Sequence, residues 1–181
     1  MPLESISTRE DSLLIRWSFP SPTRDLWDGL TDRTLLSQWL GQPIECDMRA
    51  GGRLVVEHGE GYASHSEIME ADPPHRLAMT WNFPDEPESR LRFELHPSDP
   101  GTRLELTHQD LGSLVGSYGP GWITHLTYLE AVISGTPLVT AKFWQLHATV
   151  EALYNDRRPA ATGTTHATVY SAAAPLPPLT R

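Results

Sequence analysis

Apolar and polar residues alternate along much of the chain, which is the pattern of half-buried β-strands. In residues 13–19 the odd positions are apolar, while Arg16 and Ser18 lie between them. The same alternation recurs four more times, in residues 54–58, 77–83, 91–95 and 104–108. Between Pro43 and Asp110, five short turns rich in Gly, Pro and Asp divide six strands, and such short connections join antiparallel neighbours. The pattern predicts an antiparallel sheet of about seven strands with one covered face and one wet face.

A helical period replaces the alternation in the segment Pro120–Ser134. One apolar stripe with intervals of four, three and four runs along it, formed by Trp122, Leu126, Leu129 and Ile133. Proline near the first helical position and glycine just past the last suit the two ends of this helix. A sheet with one apolar face needs a cover. We therefore expect the sheet to curl around this long helix, with a pocket between them.

Three shorter helices complete the prediction. The first follows the first strand, is capped by Ser21 and runs to about Leu30, and the second is capped by Asp32 and stops at Gly41. A further amphipathic helix is predicted over residues 138–154. Its apolar stripe would either fold back on its own domain or join two copies of the chain in a homodimer.

These elements divide the chain into four parts. Residues 1–12 form a polar N-terminal segment, and residues 13–135 form one domain. Residues 136–156 add the extra amphipathic helix. Residues 157–181 are dominated by Ala, Thr and Pro with almost no large apolar side chain, so we expect a mobile tail.

Composition excludes several functional classes. The formal charge of -9, from 14 basic and 23 acidic residues with Lys142 as the one lysine, argues against binding nucleic acid. A single cysteine, Cys46, forms no internal disulfide and no zinc cluster, which indicates a reducing compartment. The N-terminus lacks the apolar core of a signal peptide, and no stretch approaches the roughly 18 apolar residues of a membrane span. We expect a cytoplasmic protein without a membrane partner.

The expected pocket has an unusual supply of aromatic residues and methionine at inward positions. Tryptophan offers a broad face with one polar group, and methionine is flexible, so both suit an adaptable apolar site. The predicted lining residues are Trp39, Met48, Met79, Trp81, Phe93, Trp122, Leu126 and Leu129. The alternative is that the same side chains simply fill the core and leave no room for a ligand.

Histidines are the candidates for polar chemistry in the pocket. His58 and His108 share strand faces with apolar residues, so each could orient a polar ligand atom or transfer a proton near neutral pH. The alternative is that each is satisfied by an internal hydrogen bond. His125 flanks the helical stripe. Because His58, His65 and His108 lie on different strands without a metal-ligand spacing, we predict no metal, and we assign no catalytic residue and no cofactor.

The chain also carries an ordered series of motifs. They are Pro20-x-Pro22-x-x-x-x-Trp27-x-x-Leu30-Thr31-Asp32-x-x-Leu35-Leu36-x-x-Trp39, Arg49-Ala-Gly-Gly-Arg53, Asp72-Pro-Pro-x-Arg-Leu77-x-x-x-Trp81, Gly101-Thr-Arg-Leu-x-Leu-Thr-His108 and Gly121-Trp122-x-x-x-Leu126-x-x-Leu129. From about Leu13 to Gly135 this series resembles the bacterial homologues of the heat-shock-protein-90 ATPase activator, which belong to the START-like or SRPBCC superfamily. Where many relatives have a glycine in the fourth strand, this chain has Ser66.

The resemblance implies an α+β helix-grip fold. In this fold a strongly curved antiparallel sheet surrounds a long C-terminal helix, and two short helices close one end of a hydrophobic cavity. The function we expect is binding of a small hydrophobic or aromatic molecule in that cavity. Two alternatives remain open: an enzyme of cyclase, aromatase or hydrolase type with a histidine such as His108 as acid or base, and a chaperone-assisting or stress-response interaction protein.

Overall fold

An antiparallel sheet of eight strands forms the body of the structure, a computed structural model that describes residues 2–156. The strands are β1 (Leu3–Arg9), β2 (Ser12–Phe19), β3 (Gln42–Cys46), β4 (Arg53–Gly59), β5 (Tyr62–Asp72), β6 (Arg76–Trp81), β7 (Ser89–Pro97) and β8 (Thr102–Gln109). Their order across the sheet is β1-β2-β8-β7-β6-β5-β4-β3. The six strands from β3 to β8 therefore form the predicted meander, and β2 returns to pair with β8.

Strand β1 is the element that the alternation did not predict. Residues 1–12 were expected to be a polar segment, but residues 3–9 pair with β2 at the edge of the sheet. Its two apolar contacts with the core, Leu3 and Ile6, are three residues apart because the register shifts between Leu3 and Ser5. A bulge of this kind breaks the two-residue period. The sheet therefore has eight strands rather than about seven.

Four helices accompany the sheet in the described part of the chain: α1 (Thr23–Thr31), α2 (Arg33–Trp39), α3 (Val115–Ile133) and α4 (Phe143–Asp156). Asp32 caps α2 as predicted, because its carboxylate accepts hydrogen bonds from the backbone N–H groups of Thr34 and Leu35 at 2.8 and 3.0 Å. The predicted cap of α1 is wrong. Pro22 occupies the N-cap position of that helix, which has no capping hydrogen bond from a side chain.

Helix α3 is the long helix that the sheet surrounds. It begins at Val115, after a short 3-10 turn, so Pro120 lies inside the helix and not near its first position as expected. The predicted stripe is correct, because Trp122, Leu126 and Leu129 are each 2% exposed or less. With α1 and α2 at one end, this arrangement is the predicted helix-grip.

The two faces of the sheet differ as the alternation predicted. On the inner face, alternate residues of β2, β7 and β8 are buried. On the outer face the side chains form ion pairs between strands, such as Arg92 with Glu70 and Arg16 with Glu105, both at 3.1 Å. Exposed pairs of this kind each contribute at most about 1 kcal/mol. Stability therefore comes mainly from the apolar face that surrounds α3.

Helix α4 folds back on its own domain, which was one of the two predicted arrangements. It begins at Phe143 and not at residue 138, and its first residue packs against Tyr128 of α3 with ring centroids 5.3 Å apart. Two residues of the predicted stripe, Val139 and Leu153, are instead 67% and 58% exposed. Residues 157–181, the predicted tail, lie outside the described part of the chain.

Candidate ligand-binding site

A cavity of about 170 Å³ lies between α3, the end of α2, the sheet and the start of α4. Nine aromatic side chains line it: Trp39, Tyr62, Trp81, Phe83, Tyr118, Trp122, Tyr128, Phe143 and Trp144. The described residues that line it also include two histidines but no Asp, Glu, Lys or Arg. The sequence predicted a pocket in this place, between the sheet and the long helix.

One face of α3 supplies the inner wall of the cavity. Tyr118, Gly121, Trp122, His125 and Tyr128 recur at intervals of three, one, three and three, which places them along one side of the helix. Gly121 is the residue that leaves room. A Cβ atom there would meet no atom within 4 Å, so a larger side chain would project into open space.

The sheet supplies a cluster of packed rings on the opposite side. Trp81 at the end of β6 lies 5.5 Å from Trp122 and 5.6 Å from Phe83, measured between ring centroids. Phe83 in turn stacks on Tyr62 at 4.9 Å with an interplanar angle of 9°. His58 near the end of β4 lies 5.1 Å from Phe83. These contacts hold the aromatic rings of the wall in fixed orientations.

The mouth of the cavity is built by α2 and α4. Trp39 at the end of α2 donates its indole N–H to the carbonyl of Gly29 at 2.9 Å, so its ring cannot turn freely. Phe143 and Trp144 come from the start of α4, and Trp144 is still 37% exposed. The extra helix, which lies outside the motifs of the family, therefore completes the wall of the cavity.

His125 is a neutral hydrogen-bond acceptor in this wall. Its Nδ1 lies 2.8 Å from the backbone carbonyl of Trp39, and because a carbonyl only accepts, Nδ1 carries the proton. Burial lowers the pKa of His125 to about 4, against a smaller opposing effect of the Trp39 carbonyl. At neutral pH the ring is therefore uncharged and Nε2 bears a lone pair.

His58 is the second neutral imidazole of the wall. Its Nε2 lies 3.0 Å from the hydroxyl of Ser64, which is buried. Burial, with a smaller contribution from the nearby His125, lowers the pKa of His58 to about 3. Two titratable groups thus converge on one cavity, and an enzyme acting by acid–base chemistry requires such groups in its site.

His108, the residue predicted to act as acid or base, lies outside the cavity wall. Its Nδ1 accepts the indole N–H of Trp122 at 3.0 Å, and its Nε2 lies 2.8 Å from the hydroxyl of Ser89. The Ser89 hydroxyl in turn donates a hydrogen bond to the carbonyl of Trp81 at 3.0 Å. Both ring nitrogens are used, and burial lowers the pKa of His108 to about 3. The internal hydrogen bonds, which were the alternative interpretation, are what the structure shows.

The predicted lining residues fall into three groups. Trp39, His58, Trp81 and Trp122 lie in the cavity wall. Met79 and Phe93 border a separate void of about 10 Å³, which is too small for an organic ligand. Leu126 and Leu129 are fully buried in the core, and the half-buried Met48 borders neither space. For these last three residues the expected role as lining is corrected to packing.

Several lining residues were missed from the sequence. His125 lies three residues after Trp122, and this spacing alone would have placed it on the same helical face. Tyr118 was overlooked because the helix was expected to begin at residue 120. Phe143 and Trp144 reach the cavity only because α4 folds back on α3, and the apolar stripe of residues 138–154 left this arrangement and a homodimer both open.

A loop between β6 and β7 is tied to the rim of the cavity through two tyrosines. The Tyr62 hydroxyl donates to the carboxylate of Asp85 at 2.5 Å, and the Tyr118 hydroxyl donates to Glu86. Burial is the main cause that raises the pKa of Tyr118 and also that of Glu86. The phenol proton therefore stays on Tyr118 at any physiological pH.

Residues 2–156 offer little support for a metal site, a nucleophilic cysteine or a membrane-spanning helix. No three His, Cys, Asp or Glu side chains there come together as metal ligands would. Burial raises the pKa of the Cys46 thiol, which makes it a poor nucleophile. No helix among these residues is long and apolar enough to cross a bilayer.

The fold and the cavity together define a helix-grip protein with an aromatic-lined cavity between the sheet and the long helix. The chain belongs to the family described as "Activator of Hsp90 ATPase homolog 1-like protein", which matches residues 20–134. The family predicted from the sequence motifs is thus confirmed, and so is the predicted helix-grip fold. No curated protein matches the chain in sequence.

Solved structures show the same fold at low sequence identity. CalU16 from Micromonospora echinospora superposes with a TM-score of 0.69 at 23% identity, covering 86% of this chain and 98% of CalU16. DynU16, a protein of the dynemicin biosynthetic locus, gives 0.65 at 25% identity over 71% of this chain and 49% of its own. MLL2253 from Mesorhizobium loti gives 0.64 at 24% identity over 70% and 99%.

Proposed function

We propose that the protein binds one small, uncharged aromatic molecule in the cavity between α3 and the sheet. The observation that carries this proposal is a space of about 170 Å³ walled by nine aromatic side chains and no charged one. An apolar cavity of about 150 Å³ is enough to hold benzene. The volume therefore suits a single ring, and the walls suit a flat one because their aromatic faces can stack on it.

The size of the cavity also sets the expected affinity. A single ring buries roughly 150 Å² of apolar surface, which is worth about 4 kcal/mol at 25 cal/mol per Å². That energy corresponds to a dissociation constant of about 1 mM. A natural ligand with additional polar contacts would bind more tightly.

Toluene is the simplest probe, and Gly121→Leu is the matching variant. We expect saturable one-to-one binding of toluene to the wild-type protein by isothermal titration calorimetry. The leucine would project from α3 into the open space next to Gly121 and abolish binding. Leucine is a better helix former than glycine by about 0.5–1 kcal/mol, so the variant should stay folded. Absence of saturable binding to the wild type, or equal binding by the variant, would refute the proposal.

An enzymatic role is a second candidate because His58 and His125 converge on the cavity as neutral imidazoles. An imidazole next to a bound aromatic ester could act as general base for its hydrolysis. Incubation with 4-nitrophenyl acetate tests this candidate. A saturable rate that is lost in His125→Phe would support an enzyme. A rate equal to that of free imidazole at the same concentration would leave binding as the function.

The homodimer through the 138–154 helix, the chaperone-assisting role and the cytoplasmic location remain predictions. Leu153 offers a direct test of the first, because it is a large apolar residue on α4 that is 58% exposed. A dimer joined through this helix should dissociate in Leu153→Asp. Light scattering that gives the same mass for both proteins would argue against that dimer.

A further inference from the structure

If the cavity binds a ligand as proposed, the polar atoms of its wall indicate which chemical groups that ligand carries. Most polar side chains there already have partners. The Tyr118 hydroxyl donates to Glu86, the Tyr128 hydroxyl donates to the carbonyl of Val139 at 3.0 Å, and Ser37 donates to a carbonyl of its own helix. The two imidazoles, however, each use one nitrogen and leave the other without a partner among the described residues.

His125 presents an acceptor. Its Nδ1 proton is held by the Trp39 carbonyl, so Nε2 carries the lone pair. Nε2 also retains contact with open space, since the wholly buried side-chain polar atoms without a partner in residues 2–156 are Ser66 Oγ and Trp81 Nε1. The ring is flanked by Phe143 at 4.7 Å and Trp122 at 5.8 Å. An acceptor is thus placed between aromatic faces.

His58 presents a donor. Ser64 is 1% exposed, and within the described chain its hydroxyl has one hydrogen-bond partner, Nε2 of His58. A buried hydroxyl must place its proton on an acceptor. Ser64 therefore donates to Nε2, and the proton of the neutral imidazole lies on Nδ1. This N–H has no partner in residues 2–156, and Nδ1 likewise is not among the wholly buried atoms.

One acceptor on α3 and one donor on the facing sheet, both bordering the same cavity, match a hydroxyl group, which donates one hydrogen bond and accepts others. A methyl ether or a carbonyl would satisfy the His58 donor but leave the His125 acceptor unpaired. A carboxylate or an ammonium group would lose its hydration without gaining a counter-ion, since the lining has no Asp, Glu, Lys or Arg.

We infer that the cavity selects a phenol, a single aromatic ring whose hydroxyl donates to Nε2 of His125 and accepts from Nδ1 of His58. The ring lies among the aromatic side chains that line the cavity, next to the packed pair of Trp81 and Trp122. The same two imidazoles explain why the wall is not purely apolar. They pair a polar group that would otherwise be costly to bury.

The test compares toluene, anisole and phenol by calorimetry on the wild type, His125→Phe and the surface variant His65→Gln. Phenol is expected to bind about tenfold more tightly than toluene or anisole, since two net hydrogen bonds contribute about 1.4 kcal/mol or more. His125→Phe should reduce phenol binding to the level of toluene. The control His65→Gln, which alters an exposed residue outside the cavity, should keep the preference.

The outcomes separate this inference from the binding proposal. If toluene binds and phenol binds no more tightly, or if His125→Phe still prefers phenol, the phenol assignment is wrong and the proposed binding of an aromatic molecule is retained. If none of the three probes binds, both fail. Should His125→Phe not fold, His125→Asn replaces it, because the asparagine amide can still donate to the Trp39 carbonyl but has no atom at the position of Nε2. It should likewise lose the preference.

Discussion

The indole N–H of Trp122 donates to Nδ1 of His108 over 3.0 Å, and both side chains are buried. This bond joins α3 to β8 and fixes the tautomer of the histidine. The proton of the imidazole therefore lies on Nε2, which donates to the hydroxyl of Ser89 on β7. The imidazole is therefore a cross-link between the long helix and two strands, and it has no free nitrogen for a substrate.

His108→Leu should destabilise the protein by about 2–4 kcal/mol, because it leaves the buried indole N–H of Trp122 without an acceptor and breaks a second buried bond. Urea unfolding measures the change. Ser89→Ala, which removes one of the two bonds to the imidazole, is the graded control and should cost about 1 kcal/mol. If His108→Leu changed stability by less than Ser89→Ala, the cross-link would be energetically unimportant. Binding of toluene should survive in both folded variants.

Stability should fall as the pH drops from 7 to 5. Burial lowers the pKa values of His58 and His108 to about 3 and of His125 to about 4, while the unfolded chain titrates near 6.5. Between these values the unfolded state binds more protons, so acidification favours unfolding. Each imidazole contributes a loss of about 2 kcal/mol over this interval.

Unfolding free energies at several pH values test this linkage. The half-buried His147, whose pKa burial also lowers, adds to the same trend. His125→Phe removes one of the contributing groups and should flatten the pH dependence. A stability that stays constant between pH 7 and 5, or an unchanged slope in the variant, would mean that the imidazoles are not held neutral.

Ser66 and Ser64 lie two residues apart on β5, and both are buried, yet we expect opposite effects from their replacement. Ser66 Oγ has no hydrogen-bond partner in the described chain, so Ser66→Ala should stabilise the protein by about 1 kcal/mol. Ser64 is bonded to His58, so Ser64→Ala should destabilise it by a similar amount. Thermal unfolding of the two variants gives the comparison. Equal signs would contradict the hydrogen-bond assignment.

Helix α4 should contribute to stability through its first residue. Phe143 is 8% exposed and packs on Tyr128 and His125, so Phe143→Ala should cost about 3 kcal/mol and weaken binding of toluene. Leu153→Ala on the same helix is the control. Its side chain is 58% exposed, and the change should stay within about 0.5 kcal/mol. A similar effect of the two variants would show that α4 is not docked as described.

The sequence predicted those parts of the fold that have a regular period. Residues 13–19, 54–58, 77–83, 91–95 and 104–108 alternate, short turns mark the other strands after β2, and the stripe of α3 keeps helical intervals, so these elements were recognised. Strand β1 was missed because a bulge spaces Leu3 and Ile6 three residues apart. The start of α3 was misplaced because Pro120 lies inside the helix and does not mark its beginning.

The site was predictable only in part, for a physical reason. Periodicity shows which face of an element is buried, but it does not show which buried residues border an empty space. Met79 and Leu126 are as inward as Trp81, yet they pack in the core. The cavity depends on the missing side chain of Gly121 and on the return of α4, which are features of the assembled fold.

The most direct test of the central claim is a crystal structure of the protein soaked with bromobenzene, whose bromine is located by anomalous scattering. The account predicts one strong bromine peak inside the cavity, among Trp81, Trp122 and Phe143, and no such peak in Gly121→Leu crystals. Bromine found only on the protein surface, or an interior filled by side chains, would contradict it.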